Sequence, residues 1–134
     1  MGRLKIYDDK GKVQNFDPSG YTSVTDIDAT DGTLLVSYIV GGIIVHTSAT
    51  GDGTITTDTA INIISGSGGK GELQENGDTI KCYFINDGDQ TVTFAAGTDV
   101  TLGDAGQTVA ENESCILLFI RTSATAVTMY HVGA

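Results

Sequence analysis

The chain has no Trp, a single Pro (Pro18), two His and only seven Lys and Arg among 134 residues. Each shortage excludes something. Seven cations against seventeen Asp and Glu leave a formal net charge of −10. That charge repels a phosphate backbone and an anionic lipid surface, so neither nucleic acid nor membrane is an expected partner. The longest apolar run, residues 39–45, is interrupted by Gly41 and Gly42 and is too short to span a bilayer. Met1, Gly2, Arg3, Leu4 and Lys5 lead into more charge, without the apolar segment of a signal peptide. Cys82 and Cys115 have no metal-ligand spacing. They read as small buried hydrophobes, with a cross-strand disulfide open if their strands are neighbours. Without Trp, and with Tyr and Phe totalling nine, the chain is poorly equipped for a carbohydrate-stacking platform.

What is present is Gly, at 18 residues, and many Thr, Val and Ile in short alternating runs. The last fifty or so residues read as four strands, 79–86, 90–95, 114–122 and 126–131. Between the first two, Asn86, Asp87, Gly88 and Asp89 give a tight-turn signal. Residues 100–102 and 107–109 read as short extra strands, and residues 54–56 alternate briefly. Residues 116–120 are apolar on both faces, which predicts a central, doubly covered strand. Residues 34–38 and 43–47 form a second expected pair, either central or partly buried between subunits. Residues 58–65 fit one or two helical turns, capped by Thr57 or Asp58 and ended by Gly66. Residues 4–7 and 13–16 fit a hairpin.

Eight to ten strands at roughly ten-residue spacing predict an all-β fold, an antiparallel β-sandwich or jelly roll. It carries one short helix and an N-terminal arm, and shows no internal sequence repeat. The expected division is an arm or hairpin over 1–31 and a β-sandwich domain over 32–134. The arm holds Arg3, Lys5, Lys10 and Lys12, four of the seven basic residues.

Candidate chemistry is sparse. Asp26, Asp28 and Asp31 resemble the start of a calcium loop, but an EF-hand needs Gly where Asp31 stands and Glu where Ser37 stands. Loop carboxylates remain open as a calcium site of another kind; solvated turns are the plainer reading. Asp8 with Asp9, and Asp87 with Asp89, fall in expected exposed turns. A catalytic carboxyl pair needs burial to raise one pKa. His46 and His131 sit at strand ends, and no G-x-S-x-G elbow accompanies them. Gly69, Lys70 and Gly71 lack the Ser or Thr of a phosphate-binding loop. No catalytic residue, metal site or cofactor is expected, and a small hydrolase is the least favoured class.

From residue 53 to 133 the order of signals resembles β-rich modules of tailed-phage virions. The matching run is a Thr-rich lead into a short helix (54–64) and a strand ending at Ile85 and Asn86. Thr91, Val92, Thr93, Phe94, Ala96 and Gly97 follow, then Val100, Thr101, Leu102 and Gly103. Val109 and residues 111–114 lead to a strand over 116–121 and the closing Ala126, Val127, Thr128, Met129 and Tyr130. Such modules occur in capsid decoration (cement) proteins and head fibres. The resemblance implies a non-enzymatic virion structural protein on the capsid exterior, homotrimeric, bound to the major capsid protein by its N-terminal segment. Leu4, Ile6, Tyr7, Phe16 and Tyr21 are the expected contact residues. The alternative is a receptor- or glycan-binding domain of a fibre or tail protein.

Overall fold

The computed structural model describes residues 5–7, 13–15, 23–47, 51–67, 73–103 and 107–133. β1 (Lys5–Tyr7) and β2 (Val13–Asn15) pair antiparallel in a two-stranded sheet of their own, Ile6 opposite Gln14. From there on the chain winds between two larger sheets. β3 (Ser23–Ile27) lies in a six-stranded sheet and β4 (Gly32–Leu34) in a four-stranded one. β5 (Gly42–His46) returns to the large sheet parallel to β3, and β6 (Gly53–Thr57) to the small sheet parallel to β4. β7 (Thr79–Asn86) and β8 (Val92–Ala95) repeat the step, parallel to β5 and β6. The result is three turns of a coil, a quasi-repeat in space that the sequence does not spell out.

The remaining strands close it. β9 (Val100–Leu102) joins the large sheet parallel to β12 (Val127–Val132), and β10 (Thr108–Val109) edges the small sheet antiparallel to β8. β11 (Ser114–Arg121) runs antiparallel to both β7 and β12. The large sheet reads β3-β5-β7-β11-β12-β9 and the small one β10-β8-β6-β4.

This corrects the expected all-β antiparallel sandwich. The protein is mixed α/β, with parallel and antiparallel pairs in both sheets and, among the described residues, two helices instead of one. Successive strands alternate between sheets, so strands sharing a sheet inherit the same direction. The turn at residues 86–89 is therefore no hairpin: β7 and β8 belong to different sheets, and the turn is a corner between them. The expected pair over 34–38 and 43–47 fails likewise. β4 ends at Leu34 and the chain turns into α1 (Val36–Gly41) before β5 begins. Val36, Ile39 and Val40 favour strand by propensity, and tertiary context overrides them. Gly42, at φ 98°, donates its N–H to the Tyr38 carbonyl and ends the helix, while Ile39 is fully buried. α2 (Ala60–Ser67) falls two residues beyond the expected helix, and its Thr59 hydroxyl accepts the N–H of Asn62.

One core lies between the sheets. Leu34, Ile39, Ile44, Ile55, Ile63, Phe84, Leu117, Phe119 and Met129 are fully buried within it. Each such side chain contributes roughly 1.5–3 kcal/mol by leaving water. Phe84 and Phe94 meet edge to face, 5.0 Å between ring centroids, linking the large sheet to the small one.

The corners of the coil share a device. Asp31 Oδ1 accepts the backbone N–H of Thr54 at 2.8 Å, and Asp52 Oδ1 accepts that of Thr91 at 3.1 Å. Each carboxylate ties one turn of the coil to the next. This is the work found for Asp31 in the calcium-like stretch. Asp26 in the same stretch accepts the Thr47 hydroxyl at 2.9 Å.

Candidate functional site: the outer face of the six-stranded sheet

Strand side chains alternate between faces, so the register places every outward residue of the large sheet. One row runs straight across five strands: Val24, Ile43, Tyr83, Ile116 and Val132, each opposite the next. Every member is apolar or aromatic. A second row holds Asp26, Val45, Ile85 and Ser114, a third Lys81, Leu118 and Tyr130, and a fourth Thr79, Ile120, Thr128 and Thr101. Asp26 and Lys81 are the charged members of these rows.

This face is apolar yet only partly covered. Val24 is 44% exposed, Val132 47%, and Ile85 and Tyr130 37% each. Val45, Ile116, Leu118 and Ile120 are half-buried. Ile43 is the exception, 7% exposed although it stands apart from the core cluster. The Tyr130 ring is seated on the backbone at Gly103, where a Cβ would collide with it. The ring is thus held as an exposed aromatic anchor by the residue that follows β9.

β11 explains the double-sided pattern seen in the sequence. Its inward residues Cys115, Leu117 and Phe119 are buried, and its outward residues Ile116, Leu118 and Ile120 are as apolar. The strand is central, between β7 and β12, as expected, but not doubly covered as expected: its outward residues are only half-buried. An antiparallel strand with one wet face ordinarily carries polar residues there. These three positions are the signal in the sequence for the outer face; the row across β3, β5 and β7 was hidden because parallel register is non-local.

Ile6 and Tyr7 are described in backbone only, and Leu4, Phe16 and Tyr21 lie outside the described residues, as does the Gly69–Lys70–Gly71 stretch. Asp87 and Asp89 are exposed at a corner. His46 is buried, and its Nε2–H donates to the carbonyls of Ala29 at 2.8 Å and Thr30 at 3.3 Å. It therefore braces the first corner, while its Nδ1 has no partner. Asn86 stands beside His46 in the ladder. Its amide donates to the carbonyls of Gln90 and Val109 and accepts the Gly88 N–H. His131 lies 6.2 Å from Phe94 between ring centroids, its Nε2 buried without a partner. His46 and His131 sit on β5 and β12, separated in the sheet by β7 and β11.

Cys82 and Cys115 are buried free thiols on neighbouring strands β7 and β11. Both are inward, in the plainer of the two expected readings. Burial pushes the Cys115 thiol up to about 12. Burial raises Cys82 further, with the Cys115 sulfur adding to the effect. Among the described residues, no three His, Cys, Asp or Glu gather where they could hold a metal ion. No helix among them is long and apolar enough to cross a membrane.

No family model, no curated protein and no solved structure matches this chain.

Proposed function

We propose that this chain is a structural protein of a virion, a capsid decoration protein that works by burying surface against protein neighbours. The observation that carries this reading is the outer face of the large sheet. A wide apolar face on a molecule of net charge −10 calls for a protein cover, because solvent alone leaves it an association hazard. The charge distribution supports a second contact. Residues 1–22 hold four Lys and Arg against three Asp, whereas residues 23–134 hold three against fourteen Asp and Glu. The first segment is therefore the part of the chain suited to an acidic or neutral partner surface, with Leu4, Ile6, Tyr7, Phe16 and Tyr21 as its apolar contacts. In this reading the N-terminal segment engages the major capsid protein and the sheet face packs against neighbours within the decoration layer. Modest contacts repeated around a symmetry axis add by effective concentration, and the extra buried area opposes capsid expansion.

The test is co-sedimentation with capsids of the phage whose genome encodes the chain. Wild-type protein should pellet with capsids, and a variant carrying Ile6→Asp and Phe16→Asp should stay in the supernatant with its circular dichroism unchanged. Wild-type protein that never pellets, or a gene without capsid genes around it, sinks the assignment.

A further inference from the structure

We infer that the outer face of the six-stranded sheet is covered by a second copy of this same chain. The inference rests on the reading of that face as an assembly surface and names its occupant. Two observations select a copy over an unrelated protein.

The first is charge. Along the four rows, the outward positions of β3, β5, β7, β11 and β12 include one acid, Asp26, and one base, Lys81. Asp26 already accepts the Thr47 hydroxyl. The face is therefore neutral on a strongly acidic molecule. On this face a cationic partner finds one acid, already engaged, and an anionic partner finds one Lys. A surface equally apolar and equally neutral is found on another copy of the chain. Two copies of net charge −10 can approach through this face without direct like-charge contact, and unlike the Thr-lined outer face of the small sheet it also offers apolar side chains to bury.

The second is size. Five strands of five to eight residues, at about 4.8 Å spacing and about 3.3 Å rise, give a footprint of roughly 500 Å² before side-chain relief is counted. A standard specific interface takes about 800 Å² from each partner. The flat footprint is below that, and side-chain relief and the rim make up the difference in this inference. Tyr130, seated on Gly103, supplies the kind of pre-positioned aromatic that dominates interface energetics.

The test is the solution mass of the full chain by light scattering, together with its melting temperature over a dilution series. The wild type should run at a multiple of 13.9 kDa, and its melting temperature should fall on dilution. A variant with Ile85→Lys and Val132→Lys adds two charges at sites already exposed in one copy. It should run at 13.9 kDa with unchanged circular dichroism and a melting temperature independent of concentration. If that pair does not fold, Val132→Lys alone, near the end of the last strand, carries the same test. A monomeric wild type at about 100 µM, or a folded lysine variant that keeps the higher mass, overturns the inference. The two readings fail separately. A monomeric wild type that still pellets with capsids removes only the copy. A wild type of higher mass that ignores capsids removes only the capsid assignment.

Discussion

Asp58 Oδ2 accepts the backbone N–H of Val36 at 3.1 Å, so a residue at the entrance of α2 holds the first turn of α1. The other oxygen, Oδ1, accepts the N–H of Thr59 at 2.8 Å and the Asn62 side-chain amide at 2.9 Å. The first backbone donors of a helix have no partner inside it, and neither helix has an acid in its first turn. One carboxylate thus serves both helix starts, and these helices are the links that carry the chain back to the large sheet. Asp58→Ala should cost about 2–3 kcal/mol, since three donors lose a charged acceptor at a site that is nearly buried. Asp58→Asn should cost less, because it keeps an acceptor for one partner while turning its NH₂ toward another donor. Urea midpoints of the three proteins measure this; equal midpoints would mean the helix starts find water at no loss.

Gly53 begins β6 directly beneath the first corner, and a Cβ there would run into the carbonyl of Thr30. The close approach is backbone against backbone, so no side chain can move aside. It is also where the Asp31 carboxylate and the Thr54 N–H draw the two turns together. Gly53→Ala should destabilise by about 2–3 kcal/mol through forced separation of the first and second turns. Thermal melting of the variant checks it. A change within about 0.5 kcal/mol would show that the corner yields freely.

The C-terminal half was the most legible part of the chain. The expected bounds of 79–86 and 100–102 match the strands, those of β11 differ by one residue at one end and those of β12 by one at each end, because β7 and β12 show alternation and β11 an unbroken apolar run. Those alternations are local. What the sequence withheld is non-local: nothing in Val24, Ile43 and Tyr83 shows that they stand side by side, since parallel neighbours are separated by a corner, a second-sheet strand and a helix. Val36 and Tyr38 favour strand by propensity yet lie in a helix, and Gly42, which breaks the apolar run, caps that helix. The outer face was half visible, through Ile116, Leu118 and Ile120, and the rest of it needed the register.

Gln107 poses a stability question. It is buried, its backbone carbonyl accepts the N–H of Phe94 at 3.0 Å, and both polar atoms of its side chain lack a partner. A buried amide without hydrogen bonds loses its hydration and recovers nothing. Gln107→Met, close in volume and apolar, should raise stability by about 1 kcal/mol or leave it unchanged. A loss of about 2 kcal/mol or more would mean that ordered water bridges the amide. Urea unfolding of the pair decides between them.

The thiols set an alkaline limit. In the unfolded chain a cysteine loses its proton near 8.5. In the folded protein burial holds Cys115 up to about 12 and raises Cys82 further. Below about pH 8.5 both states keep both thiol protons and the contribution to stability is complete. Above it the unfolded chain binds fewer protons than the folded one, so stability falls as pH rises from there toward the folded value. The melting temperature should therefore drop more steeply for the wild type than for a Cys82→Ala, Cys115→Ala variant between about pH 8 and 10.5. Slopes and not absolute values carry the comparison, because truncating two buried side chains lowers stability at every pH. Tyrosines and lysines titrate in the same range but are common to both proteins and cancel. The native wild type should also resist a thiol reagent such as Ellman's at about pH 8 and react with two equivalents once unfolded in urea. Parallel melting slopes, or rapid labelling of the folded protein, would show that these sulfurs reach solvent.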